Sequence, residues 1–146
     1  MARFGEHRLT VPEEVVAARP ALRPFEGKRV ILGIRPEDFE DASLEPDTPP
    51  DRRLKVTCDL TEPLGAEILA YFGTEATGVV SSGVTADAGA DAEVHIGGDG
   101  DGDRADRTRL VARVNPRSRI AEGSEAELAV DTRRLYFFDP DTGEAV

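Results

Sequence analysis

Three aspartates at alternate positions, Asp99, Asp101 and Asp103, have the spacing that most invites chemistry in this 146-residue chain. They fit the first three ligand positions of a calcium-binding helix–loop–helix loop. The next position requires glycine and holds Arg104; the twelfth requires glutamate and holds Leu110. No flanking helices are apparent, so the stretch reads as a solvated loop and no metal is expected. Gly100, Gly102 and Ala105 match the glycine pattern of a dinucleotide-binding turn. That turn needs a strand before it and a helix after it, and the aspartates here would repel its phosphates. Gly27-Lys28 resembles the end of a nucleotide-phosphate loop, but Leu22 replaces its first glycine and Arg29 its final hydroxyl residue. ATP hydrolysis is therefore not expected of this chain.

Nucleophiles and bases fare no better. His7 and His95 are too isolated for metal-ligand spacing, and the single cysteine, Cys58, has no companion thiolate. Cys58 lies in an alternating apolar run, where a thiol is buried and inert. No serine sits in a G-x-S-x-G elbow. Arg35 and Glu37 flank Pro36 directly after the apolar run Val30-Ile31-Leu32-Gly33-Ile34. An arginine at a strand end can bridge a carboxylate or carbonyls and fix a corner. With no reacting group beside it, a structural clamp is the expected role. No catalytic residue is expected, and the chain is read as not an enzyme.

Charge narrows the partners. The chain carries 29 acids against 18 bases, a net −11. A surface this acidic repels phosphate backbones, so nucleic acid is an unexpected partner, as is anionic lipid. Only 5% of residues are aromatic, too few for a base-stacking groove. One cysteine fits a reducing compartment. The first residues, Met1-Ala2-Arg3-Phe4-Gly5-Glu6-His7, have no apolar core of the kind a signal peptide carries. No apolar run approaches the roughly 20 residues of a membrane span.

The elements that must position these residues are short strands. Residues 7–11 suit a strand. Pro12-Glu13-Glu14 then starts a short helix, with acids at the positive end of its dipole, and Pro20 stops it. Residues 28–35 predict a strand whose consecutive apolar side chains are covered on both faces, ended by Pro36. Residues 40–53, with Pro46, Pro49 and Pro50, read as a loop. Residues 54–64 alternate with period two: Leu54, Val56, Cys58 and Leu60 inward. After a bend at Pro63-Leu64-Gly65, residues 66–72 form a strand ended by Gly73, and residues 77–80 form another. Residues 81–107 hold seven acids, two bases and almost no large apolar residue, and read as a mobile acidic insertion. Strands follow at 108–114, at 125–130 with Ala126, Leu128 and Val130 inward, and at 133–138. Seven or eight short strands predict an all-β barrel or sandwich, with a small antiparallel barrel favoured because it hides strand edges, as a single domain over 1–146. Residues 1–28 would be its leading strand and short helix.

Four segments, in order, carry a family resemblance. Val30-Ile31-Leu32-Gly33-Ile34-Arg35-Pro36-Glu37-Asp38 resembles the "V-x-L-G-I-R-P-E" strand of the C-terminal regulatory (TOBE) domain in sugar ABC-importer ATPase subunits, the maltose, trehalose and glycerol-3-phosphate kind. Val56 through Glu67, with Glu62-Pro63-Leu64-Gly65-Ala66-Glu67, is similar to their "V-x-x-x-E-x-L-G-x-E". Val114-Asn115-Pro116 through Glu122-Gly123 resembles their "R-x-x-P-x-x-x-x-x-x-G". Leu135-Tyr136-Phe137-Phe138-Asp139 through Thr142-Gly143-Glu144-Ala145 resembles their closing "L-H-x-F-D-x-x-T-G-x-A-I", with Tyr136 where the family has histidine. The acidic insertion is the other departure.

The resemblance implies an oligonucleotide/oligosaccharide-binding (OB)-like barrel lying C-terminal to a nucleotide-binding domain that this sequence lacks. ATP and Mg²⁺ would belong to that missing domain, and no cofactor to this chain. Gly33, Arg35, Pro36 and Glu37 become family-motif residues with a structural role. The implied function is to tether two ATPase subunits and regulate transport. The implied partners are a second copy, its own nucleotide-binding domain, membrane permease subunits through it, and a regulatory protein. The implied location is cytoplasmic, peripheral to the inner face of the membrane. Tyr136 and Phe138 are the candidate dimer contacts. The alternative is a small-molecule-sensing barrel for a sugar or an oxyanion. An oxyanion would meet an acidic chain without an evident Ser/Lys-rich pocket.

Overall fold

A computed structural model describes residues 1–75 and 108–146. Nine strands lie among the described residues: β1 (Ala2–Phe4), β2 (His7–Leu9), β3 (Ile31–Gly33), β4 (Phe39–Asp41), β5 (Arg53–Pro63), β6 (Ile68–Thr74), β7 (Thr108–Val114), β8 (Glu125–Val130) and β9 (Tyr136–Phe138). One α-helix, α1 (Glu13–Ala17), follows β2. Five strands form an antiparallel sheet in the order β4-β8-β5-β6-β7, while β1 pairs with β2 and β3 with β9. The all-β reading holds. The strand expected at 77–80 and the insertion expected at 81–107, with Asp99, Asp101, Asp103 and His95, lie outside the described residues.

The long strand β5 explains both the sheet and one error in the sequence reading. Leu54, Val56 and Cys58 alternate into the core as their period requires. Cys58 faces Phe72 and Leu60 faces Tyr71, so two steps along β5 match one along β6. This bulge inserts Asp59 and turns Leu60 outward, where it is 39% exposed rather than buried. The β5–β6 hairpin closes with Leu64 N donating to Glu67 O at 2.8 Å, over Gly65 at φ +87°, a left-handed conformation that glycine adopts without Cβ strain. β6 continues through Gly73, because β7 pairs with it as far as Thr74.

The sheet curls until its edge strands approach, giving the half-barrel of an OB fold. Side chains join these edges. Glu40 Oε1 accepts from the Asn115 backbone N–H at 2.9 Å and from the Asp41 N–H at 2.8 Å. Ser118 Oγ donates to Asp41 Oδ2 at 2.6 Å. Inside the curl, Phe39 meets Phe72 edge-on at 5.6 Å between ring centroids. Leu54, Leu128, Val114, Leu9 and Leu135 pack into the same core.

Other expectations need correction. Residues 40–53 are not simply loop: β4 reaches Asp41, and Pro50–Arg52 forms a 3₁₀ turn. Proline at the start of a turn costs no ladder bond, which is why this Pro-rich stretch can still be ordered. Pro20 opens a second 3₁₀ helix, Pro20–Phe25, after the end of α1. The strand expected at 28–35 shrinks to β3 because its one strand partner among the described residues, β9, is three residues long. Val30, Ile31, Leu32 and Ile34 are half-buried, not covered on both faces. A two-stranded sheet lying on a larger core has one outward side. The strand expected at 133–138 begins at Tyr136, since Arg134 N closes a turn onto Asp131 O at 3.1 Å.

Candidate functional site

The small sheet brings together residues that are about a hundred positions apart. Ile31 faces Phe138, Leu32 faces Phe137, and Gly33 faces Tyr136. Residues opposite each other share a face, and residues two apart along a strand do so too. Leu32 and Phe137 therefore form one face, and both join the core. Ile31, Gly33, Tyr136 and Phe138 form the other, and all four remain half-buried. Gly33 is required by close approach: a Cβ there would stand 3.2 Å from Tyr136 Cβ and 3.3 Å from Phe138 Cε2.

The corner after β3 supports this face. Arg35 is extended (φ −79°, ψ 150°), as the residue before a proline tends to be. Pro36 opens the 3₁₀ turn Pro36–Asp38. The Arg35 guanidinium carbon then lies 4.5 Å from the Tyr136 ring centroid, within the reach of a cation–π contact. Arg35 Nη1 is 3.9 Å from Glu37 Oε1, a loose pair of partly exposed groups. Such pairs contribute about 0–1 kcal/mol. Gly33, Arg35, Pro36, Glu37, Tyr136 and Phe138 thus form one constellation, which the sequence presented as two unrelated groups.

Asp38, which with Glu40 reads from sequence as a solvated carboxylate pair, is instead buried. It is 4% exposed, and neither carboxylate oxygen makes a hydrogen bond. Arg134 Nε lies 3.1 Å from Oδ1, close enough for an ion pair but without hydrogen-bond geometry. Burial pushes the Asp38 pKa up, and Arg134 only partly pulls it back. Asp38 O accepts from Asp131 N at 2.8 Å, so the turn before β9 is tied to the turn after β3. On the inward side, Arg19 Nη1 donates to Leu135 O at 2.7 Å, and its guanidinium lies 5.7 Å from the Phe137 ring centroid. Glu37 and Asp38 are adjacent acids in sequence. Only the direction of the 3₁₀ turn decides which one is buried.

The remaining candidates do not converge. Cys58 is buried, and burial raises its pKa, so its thiolate is disfavoured. His7 is buried beside Glu6, with 3.4 Å between Nε2 and Oε1. Among the described residues, no group of three or more His, Cys, Asp or Glu could hold a metal ion. An open groove on the five-stranded sheet is lined by Glu6, Lys55, Thr57, Asp59, Glu125 and Glu127; its acids outnumber its one lysine and would repel an oxyanion. No helix among the described residues is long and apolar enough to cross a membrane.

A curled antiparallel sheet with short pendant ladders defines an OB-type β-domain. Residues 1–39, which run through β1–β3 and the Gly33–Asp38 corner, match the family model "MalK OB fold domain". The trehalose import ATP-binding protein SugC of Mycobacterium tuberculosis is 39% identical over 144 residues, covering 96% of this chain and 33% of that protein. The oligosaccharides import ATP-binding protein MsmX of Bacillus subtilis is 26% identical over 97% of this chain and 30% of its own length. The trehalose/maltose import ATP-binding protein MalK of Thermococcus litoralis is 25% identical over 98% of the chain and 30% of its own length. The leading segment thus matches the MalK-type OB fold, and along nearly its whole length the chain is similar to part of ATP-binding proteins named for sugar import. It spans about a third of the length of these relatives.

Proposed function

We propose that this chain is the regulatory and dimerisation domain of the ATP-binding subunit of a sugar ABC importer, tethering two such subunits through the transport cycle. The observation that carries this reading is the outward face of the small sheet, where Ile31, Tyr136 and Phe138 stand half-buried around Gly33. Aromatic residues in a compact apolar patch are the usual anchors of a protein interface. A C2 contact needs one self-complementary patch, and the half-buried Tyr136 and Phe138, packed over Gly33, supply an apolar one. Tethering acts through effective concentration: two ATPase domains held in one assembly meet again without a new bimolecular search.

In this reading residues 1–146 form one domain, with 1–28 as its leading segment and 81–107 as an insertion. The catalytic chemistry belongs to a nucleotide-binding domain that holds ATP and Mg²⁺ and contacts membrane permease subunits at the cytoplasmic face. A regulatory protein would dock on the same accessory domain. The relatives' names support the importer assignment. The rival, a sugar or oxyanion sensor, gains no support from the acidic groove. Sedimentation of the chain, with Phe138→Glu and Tyr136→Lys as controls, tests the dimer; titration calorimetry with trehalose, maltose and molybdate tests the rival.

A further inference from the structure

We propose that Asp38 and Arg134 form a clasp that sets the small β3–β9 sheet against the five-stranded sheet, Arg134 compensating the carboxylate charge that this corner buries. Both chain passages between these sheets run through the pair. The first goes from β3 through Pro36–Asp38 into β4; the second goes from β8 through residues 131–134 into β9. Asp38 joins them twice, by its carbonyl to Asp131 N and by its carboxylate to Arg134. The carboxylate is buried with both oxygens lacking hydrogen bonds, while Arg134 is 53% exposed. The buried charge therefore depends on one half-exposed cation. Removing one member of such a pair is far more damaging than removing both, because it strands a charge out of water. Arg134 is a positioning residue, and the docking face is what it positions.

The groups facing the Asp38 carboxylate are Arg134 and Asp131 from the β8–β9 turn and Glu37 from its own turn, with the Asp38 N–H bonded to Arg35 O. The β7 strand also packs on this corner and turns uncharged Ala112 and Val114 inward. Burial, Glu37 and Asp131 raise the Asp38 pKa, Arg134 and the backbone at Arg35 lower it, and burial prevails. Folding therefore favours protonated Asp38, and the clasp region gains stability as pH falls from the raised folded pKa toward the ordinary carboxylate range, near 4. The inference concerns regulation of the face proposed above and rests on that reading only for its consequence.

Hydrogen exchange of the β3 and β9 amides in Arg134→Gln, Asp38→Asn and the double variant tests the clasp. Arg134→Gln is expected to speed exchange there by about tenfold or more. The double variant is expected to exchange no faster than Asp38→Asn alone. In Arg134→Gln, lowering the pH from about 7 to 5 is expected to restore protection after correction for intrinsic rates. Additive damage in the double variant, or no pH rescue, would overturn the clasp. Sedimentation of Phe138→Glu reads the docking face separately, since that substitution leaves Asp38 and Arg134 in place.

Discussion

The Arg35 guanidinium sits over the Tyr136 ring at 4.5 Å, while its neighbouring acid Glu37 stands 3.9 Å away at the limit of an ion pair. The arginine of the corner is therefore bound mainly to an aromatic ring across the sheet, and not to the carboxylate two residues on. Arg35→Ala should destabilise the domain by about 0.5–1 kcal/mol, the scale of an exposed cation–π contact. Glu37→Ala should cost less, within about 0.5 kcal/mol, as loose surface pairs do. Urea midpoints of the two variants decide it. Equal losses, or a larger loss for Glu37→Ala, would return the clamp to the ion pair.

Gly33→Ala places a methyl against Tyr136 Cβ and Phe138 Cε2. Neither atom can move far without tilting an aromatic on the outward face. The expected cost is about 1–3 kcal/mol, the range for overpacking. The tyrosine fluorescence and the β9 amide shifts should change with it. A variant with wild-type stability and spectra would show that the approach is not tight.

Acid stability should track Asp41. Burial raises its pKa, but hydrogen bonds involving Ser118 and Ser43 outweigh this and hold the group below the ordinary carboxylate value. A depressed folded pKa means the unfolded chain binds protons first. Asp41 therefore contributes its full stability above about pH 4, the unfolded value, and loses it as pH falls through the folded one. Ser118→Ala removes one of those donors to Asp41 and should flatten the stability–pH slope below about pH 4. An unchanged slope would mean that the Asp41–Ser118 link does not join the sheet edges in solution.

Period-two patterns located β7 and β8 to the residue, because each lies in the five-stranded sheet with one face on the core. The Leu60 position was misread because a bulge leaves no mark in an apolar alternation. β4 was missed because Phe39 is its only large apolar residue, and Glu40 and Asp41 pair by bonding polar groups. The same holds at the candidate site. Gly33, Arg35 and Tyr136 each stood out, but their meeting depends on a ladder between residues 31–33 and 136–138, and sequence periodicity does not encode register between distant strands. The burial of Asp38 was missed for a related reason: it comes from a turn geometry, not from an apolar pattern.

The most direct test of the tethering account is sedimentation equilibrium of the chain at rising concentration, beside Phe138→Glu and Tyr136→Lys. The account predicts a reversible dimer for the parent chain. Each variant should be monomeric while keeping its β-sheet circular dichroism and cooperative unfolding. A parent chain that stays monomeric up to millimolar concentration, or folded variants that dimerise as tightly as the parent, would contradict it.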